Sequence, residues 1–182
     1  MAYADGARKS EPARPRPIGD KGRPPEFDRL CGRGATVLKP PPLDLCGMAR
    51  AADLVGDRWT LLIIREALYG VTRFDAMRAD LDIPRTVLSA RLKRLCAHGL
   101  LTKRAYREPG QRTRFQYVLT SKGVDLAVAM IALMQWGDKN LPGAAPRTQI
   151  VDRKTGGLCR VGLVAENGDA VGVGETKIRI AN

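Results

Sequence analysis

The stretch "IPRTVLSARLKRLCAHGLLTKR", residues 83 to 104, sets Arg85, Arg91, Lys93, Arg94, Lys103 and Arg104 around a regular leucine spacing without one acidic side chain. Between residues 84 and 122 there are ten Lys or Arg against one acid, Glu108. Guanidinium and ammonium groups are pure donors that neutralise anions, and a surface built only for solubility mixes the signs of its charges. The cluster therefore suits a polyanionic partner. The whole chain agrees, with 31 Lys and Arg against 19 Asp and Glu and a formal net charge of +12 over 182 residues. Charge alone does not choose between a nucleic acid and an anionic membrane.

Other chemistry finds fewer parts. Cys31, Cys46, Cys96 and Cys159 are widely scattered with no Cys-x-x-Cys pair, and His98 is the single histidine, so no metal site is expected. Cys96 and His98 are two apart on a helix, so their side chains diverge and form no nucleophile and base pair. "GVGE" lacks a following helix and carries no phosphate-binding signal. With no carboxylate pair, metal cluster or activated nucleophile, the expectation is a protein that is not an enzyme and needs no cofactor. The beginning, "MAYADGARKSEPARPRP", has no apolar signal core, and no 18-residue apolar run occurs. No membrane role is expected, a cytoplasmic location follows by default, and the cysteines read as thiols.

The elements that must carry the cations are legible from spacing. Residues 1 to 43 hold eight prolines and many charges, a composition that cannot bury enough surface to offset chain entropy. This arm is expected to be disordered, either as a solvated tail or as a basic arm in which Arg14, Arg16, Lys21, Arg23, Arg29 and Arg33 reach a groove. From residue 44, Leu45, Met48, Ala52 and Val55 form one stripe of a first helix that stops at Gly56. Asp57 then caps a second helix, "RWTLLIIREALY", whose buried side is Trp59, Leu62, Ile63 and Leu68. Thr72 and Asp75 have the spacing of a capping box before a short third helix, with Phe74, Met77 and Leu81 inward.

Pro84 suits the first turn of a fourth helix. There Leu88, Leu92 and Leu95 share one face and must pack down, which leaves Thr86, Ser89, Ala90 and Lys93 outside with Arg85, Arg91 and Arg94 on the flanks. Beyond Gly99 the pattern alternates, "LLTKRAY" and "TRFQYVLT", around "REPGQR", where Pro109 and Gly110 fit a type II turn. Thr120 caps a last long helix, "SKGVDLAVAMIALMQWGDKN", apolar on two faces: Val124, Ala127, Val128 and Ile131 on one, Leu126, Met130 and Leu133 on the other. One domain cannot cover both. Residues 142 to 182 read as short strands, "RTQIVDR", "LCRVGLVA" and "AVGVGETKIRI", with Asn167-Gly168 as a hairpin signal.

Three helices, a turn, a fourth helix with a cationic outer face and a basic hairpin make a winged helix-turn-helix. An α-helix fits the major groove of B-DNA, where short side chains such as Thr86, Ser89 and Ala90 permit close approach to base edges. Arg85, Lys93 and Arg94 have the reach for phosphates or guanine edges, and Arg107, Arg112 and Arg114 would set the hairpin against the backbone. A winged helix serving as a protein-interaction module with nonspecific nucleic-acid affinity is the alternative, and fold alone does not exclude an enzyme.

The segments "LCGMARAADLVGDRWTLLIIREALYGVTRFDAMRADL", "IPRTVLSARLKRLCAHGLLTKRAY", "RFQYVLTSKG" and "MQWGD" together resemble the HxlR-type family of bacterial transcriptional regulators. The likeness spans about residues 44 to 140 through a cysteine before the first helix, Gly-x-x-Trp, Arg-Phe, Leu-Ser-x-Arg-Leu, Tyr-x-Leu-Thr and a terminal Trp-Gly. It implies a dimeric winged-helix DNA-binding protein, with the fourth helix, carrying Arg85, Thr86, Ser89 and Lys93, as the reader and the terminal helices as the dimer contact. It also places Cys46 where several members carry a redox- or electrophile-sensing thiol. A helix N-terminus stabilises thiolate, whereas the plainer reading makes Cys46 a small packed side chain of the dimer core. Gly47 stands where the family often has proline, the hairpin tip "REPGQRTRF" is longer than usual, and the C-terminal strands resemble an extension seen in some relatives.

The expectation is thus a mainly α chain with small β: a disordered basic Pro-rich arm over 1–43, a winged helix-turn-helix DNA-binding and dimerisation domain over 44–141, and a small β-hairpin extension over 142–182. The expected partners are double-stranded DNA, a second copy through Leu45, Met48, Leu126, Met130 and Leu133, and an oxidant or small-molecule effector. A two-fold dimer places its reading helices roughly 34 Å apart, which calls for a pseudo-palindromic operator.

Overall fold

A short run of leucines and isoleucines organises the main unit. In a computed structural model that describes residues 39–143 and 145–180, Ile63, Ile64, Met77, Leu88, Leu92, Leu95 and Leu101 are shut off from solvent, each 2% exposed or less. Around this core lie α1 (Gly47–Val55), α2 (Arg58–Leu68), α3 (Phe74–Leu81), α4 (Arg85–Ala97), the antiparallel pair β1 (Leu101–Tyr106) and β2 (Arg114–Leu119), then α5 (Ser121–Asp125) and α6 (Ala127–Asn140). The expectation for residues 1–38 lies outside the described residues.

Several local signals act as the sequence reading expects. Asp57 caps α2, its carboxylate accepting from Thr60 N at 3.1 Å, and Thr120 caps α5, accepting from Gly123 N at 3.1 Å. The strands pair from Leu101 opposite Leu119 to Tyr106 opposite Arg114. At the tip Gln111 N donates to Glu108 O at 3.0 Å and Gly110 has φ +73°, the geometry of a type II turn over Pro109-Gly110.

Four expectations change. The buried side of α2 is Thr60, Ile63, Ile64, Glu66 and Ala67, while Trp59, Leu62 and Leu68 are half-buried. α3, α4, β2 and α6 all touch α2, so it is enclosed on more than the one stripe its spacing suggests. Thr72 and Asp75 form no capping box: Arg73 is the N-cap of α3 and offers it no side-chain bond. Thr72 instead joins the hairpin, its hydroxyl donating to Gln116 Oε1 at 3.2 Å and its carbonyl accepting from Tyr117 N at 2.7 Å. The last long helix is two, α5 and α6, meeting at Leu126. Finally, Leu126 and Met130 pack partly on their own core, so the face left open on this segment is Val124, Val128, Leu133 and Trp136.

The main unit runs from Pro40 to Gly162, past the boundary at 141 read from the sequence. Gln135 of α6 is the reason. Its amide donates to the Cys159 carbonyl at 3.1 Å and accepts from Val161 N at 2.9 Å, fastening the segment that turns over Asp152 with Val151 opposite Leu158. Tyr69 and Thr148 hydroxyls add a 2.9 Å bond. In the second unit β3 (Leu163–Val164) pairs with β4 (Ala170–Val171) across the expected Asn167-Gly168 turn, where Gly168 has φ +90°. The third strand expected there stops at Val171. Gly172 N donates to Glu175 Oε2 at 2.8 Å, and Val173–Glu175 turn as a single 3-10 turn.

Candidate nucleic-acid interface

α4 is oriented by three anchors. Leu88, Leu92 and Leu95 are at most 1% exposed, so the helix cannot rotate about its axis without bringing leucine into water. Fully burying each such side chain stabilises by roughly 1.5–3 kcal/mol. Pro84 is the N-cap at φ −56°, one residue before the helical position the sequence suggests. The turn from α3 is made by Asp82 in the left-handed region, φ 47°, which Asp tolerates better than most residues, and by Ile83, buried against the core. This is a helix-turn-helix with its second helix pinned.

What faces outward follows. Thr86, Ser89, Ala90 and Lys93 are all exposed on the side of α4 away from the leucines. Arg85 is exposed and stacks on Phe74, its guanidinium 5.3 Å from the ring centre. On the hairpin, Arg104, Arg112 and Arg114 are exposed, and neither they nor Lys93 form an ion pair among the described residues. Lys103 lies 3.9 Å over the half-exposed Phe115 ring.

Not every predicted cation is free. Arg107 Nε donates to the Gln111 carbonyl at 3.0 Å, closing the hairpin tip. Arg94 donates through Nη2 to the Asp53 carbonyl, and Arg91 donates through Nε to Asp57 Oδ1 at 3.0 Å. Burial pulls the Asp57 carboxyl upward, but the bonds from Thr60 and the Arg91 charge and bond outweigh it, holding the group below its ordinary 3.8. Arg73, which precedes the basic stretch, joins this surface: its Nη2 meets Glu108 at 2.8 Å and its guanidinium stacks 4.7 Å from the Tyr106 ring. The one acid in the basic stretch is thereby neutralised from outside it. The partners lie 35 residues apart, so no spacing rule shows this.

The thiols and the imidazole sit apart from this face. Cys46 is the N-cap of α1 and half-buried, at a helix N-terminus as expected, with no side-chain cap bond. Cys96 is half-buried beside β1, and burial pushes its thiol up against the opposing pull of Lys103. Cys159 is exposed, and Cys31 lies outside the described residues. His98 is the C-cap of α4, where the Lys122 ammonium donates to its carbonyl at 3.0 Å. Leu45 and Met48 stand exposed at the start of α1. Among the described residues no helix is long and apolar enough to cross a membrane.

With this geometry in place, the profile of the HxlR-like helix-turn-helix proteins matches residues 54–145. The chain belongs to the HxlR-like helix-turn-helix family. Among similar proteins, the uncharacterized HTH-type transcriptional regulator Mb3122 of Mycobacterium bovis is 48% identical over 95 residues, covering 52% of this chain and 59% of that protein. The uncharacterized HTH-type transcriptional regulator YvaP of Bacillus subtilis is 34% identical over 88 residues, 48% of this chain and 80% of YvaP. The solved structure of PA1607 superposes with a TM-score of 0.62 at 30% identity, over 74% of this chain and 94% of that one. The match thus spans about 59% of the mycobacterial relative's length. The family match, residues 54–145, takes in the whole helix-turn-helix, both hairpin strands and α6, while Cys46 and most of α1 precede it.

Proposed function

We propose that this HxlR-like protein is a sequence-specific DNA-binding transcriptional regulator. The single observation that carries the reading is the outer face of α4: three short side chains and Lys93, exposed on a helix that three buried leucines hold in place. Small residues let the helix enter a major groove, Thr86, Ser89 and Ala90 meet base edges, and Lys93 meets phosphate. Arg112 and Arg114 extend the contact along the backbone from the hairpin. The names of its relatives support the same assignment to regulation rather than catalysis.

The working form is a homodimer on a pseudo-palindromic operator, acting as a repressor by occupying a promoter. Leu45 and Met48 of the α1 region and Val124, Val128, Leu133 and Trp136 of α5 and α6 are apolar and exposed, the kind of surface a second copy covers. The effector is an oxidant or small molecule acting at Cys46, and the protein works in the cytoplasm.

The test is gel-shift titration against duplexes that the protein itself selects from a randomised pool, with competitor DNA and at two salt concentrations. Specific binding is expected to survive competition. Lys93→Ala should weaken binding to every sequence and lower the salt slope by about 0.9, as for one lost phosphate contact, whereas Ser89→Ala should change preference between sites. A pool that yields no preferred duplex, with weak uniform binding throughout, would instead support a protein-interaction module.

A further inference from the structure

Arg91 and Arg94 are three residues apart and share one flank of α4, opposite the flank that carries Arg85. Charge alone puts Arg94 with the DNA contacts. Both side chains turn instead toward one joint of the fold. Arg91 Nε reaches Asp57 Oδ1 at 3.0 Å with both side chains about two-thirds buried (32% and 33% exposed), and Arg94 Nη2 reaches the Asp53 carbonyl.

Those acceptors lie on either side of Gly56. Asp53 is in the last turn of α1, where carbonyls lack partners within the helix and the dipole is negative. Asp57 is the N-cap of α2, where its carboxylate accepts from Thr60 N at 3.1 Å and Thr60 Oγ1 at 2.5 Å. The joint itself leaves no room, since a Cβ on Gly56 would stand 2.5 Å from the Ala52 carbonyl oxygen. One helix therefore ends and another begins across only two residues, Gly56 and Asp57, and both ends are tied to α4 by arginine.

We propose that Arg91 and Arg94 are positioning residues rather than DNA contacts, clasping the α1–α2 joint and fixing the tilt at which α4 presents Thr86, Ser89, Ala90 and Lys93. The inference rests on the DNA-binding reading above. The leucines set the rotation of α4 about its axis; the clasp sets its angle to the rest of the domain. It also makes α1, with Cys46 at its head, part of the reading apparatus: a displacement of α1 pulls on Arg94 directly.

The experiment uses the full chain, a duplex it has selected from a randomised pool, and poly(dI-dC) as nonspecific DNA, from about 50 to 200 mM KCl. If the wild-type chain selects no duplex, the DNA-binding reading fails and the clasp has nothing to aim. With a selected duplex in hand, Arg94→Met and Arg91→Met keep the apolar stems and remove the charge. Asp57→Asn removes the ion pair and keeps the cap, because Asn caps as well as Asp. Each variant is first checked by circular dichroism and thermal melting.

Each is expected to lose about tenfold in affinity for the selected duplex, with poly(dI-dC) binding and the salt slope held at wild-type values. Lys93→Ala, the phosphate control, loses about 0.9 in slope. Asp57→Asn combined with Arg91→Met should bind no more weakly than the weaker single variant. A slope lowered by about 0.9 in Arg94→Met or Arg91→Met would make that arginine a phosphate contact and overturn the proposal. So would equal losses on both DNAs, or independent losses that multiply to about a hundredfold in the double variant. If Arg91→Met fails to fold, Asp57→Asn carries its half of the test, because Asp57 is the Arg91 partner; if Arg94→Met fails to fold, Arg94→Gln takes its place.

Discussion

Gly123 offers a case in which helix propensity and packing give opposite signs. It lies in α5, its N–H donates to Thr120 Oγ1, and replacing glycine by alanine inside a helix ordinarily gains about 0.5–1 kcal/mol. The structure forbids that gain. A Cβ at 123 would stand 2.2 Å from the Leu100 carbonyl oxygen and 2.8 Å from Leu119 Cδ2. The oxygen is backbone and already accepts from Thr120 N at 3.0 Å, so α5 must move outward by about 1 Å and loosen that bond. Overpacking costs roughly 1–3 kcal/mol and a hydrogen bond about 1 kcal/mol. The net expectation for Gly123→Ala is a loss of about 2 kcal/mol, or ~10 °C in melting temperature for a domain of this size. Urea denaturation at fixed protein concentration measures it, with Gly137→Ala as the control. Gly137 is inside α6, and the nearest atom to its added Cβ would be Leu141 Cδ1 at 4.0 Å, so the control should gain the ordinary propensity. A Gly123→Ala protein as stable as wild type would refute the close approach that seats α5 against Leu100 and the end of β2.

Three further outcomes follow from the same geometry. Asp57 is held below 3.8, so it titrates below that value by NMR, and the stability it contributes is present above its unfolded value and lost as the pH falls through the folded one. Arg91→Met should move the midpoint upward, and an unmoved midpoint would show that the Arg91 charge does not act on Asp57. Cys96, raised by burial, should alkylate at least about tenfold more slowly than exposed Cys159 in the native protein at pH 8, a gap that closes in urea; equal native rates would contradict its burial. For Cys46→Ser, sensing requires loss of the response to oxidant with DNA affinity kept, and an unchanged response would make this thiol a packing residue.

The parts legible from sequence were those written in local chemistry. Leucine spacing oriented α4, Asp57 and Thr120 announced their caps, and Pro109-Gly110 and Asn167-Gly168 marked their turns. The parts that were not legible depend on distant partners. The Thr72 hydroxyl has a local use as a cap and a remote one on Gln116, and only the folded hairpin decides between them. Arg94 looks like every other cation on α4 until the end of α1 comes alongside it. Leu126 and Met130 shared a stripe with Leu133, yet the break at Leu126 and the neighbouring core draw those two inward and leave Leu133 out. The nine cations and small residues chosen for DNA contact therefore divide into an open set, Arg85, Thr86, Ser89, Ala90, Lys93, Arg112 and Arg114, and a pair, Arg94 and Arg107, engaged within the chain.

Whether α4 enters the groove is tested most directly by photocrosslinking from a benzophenone side chain placed at Ala90, on its outer face, to a selected duplex. A DNA-reading α4 should crosslink to major-groove bases from Ala90, with no crosslink from the same group at Ala129 on α6. A silent Ala90 under conditions where the complex still shifts in a gel would contradict it.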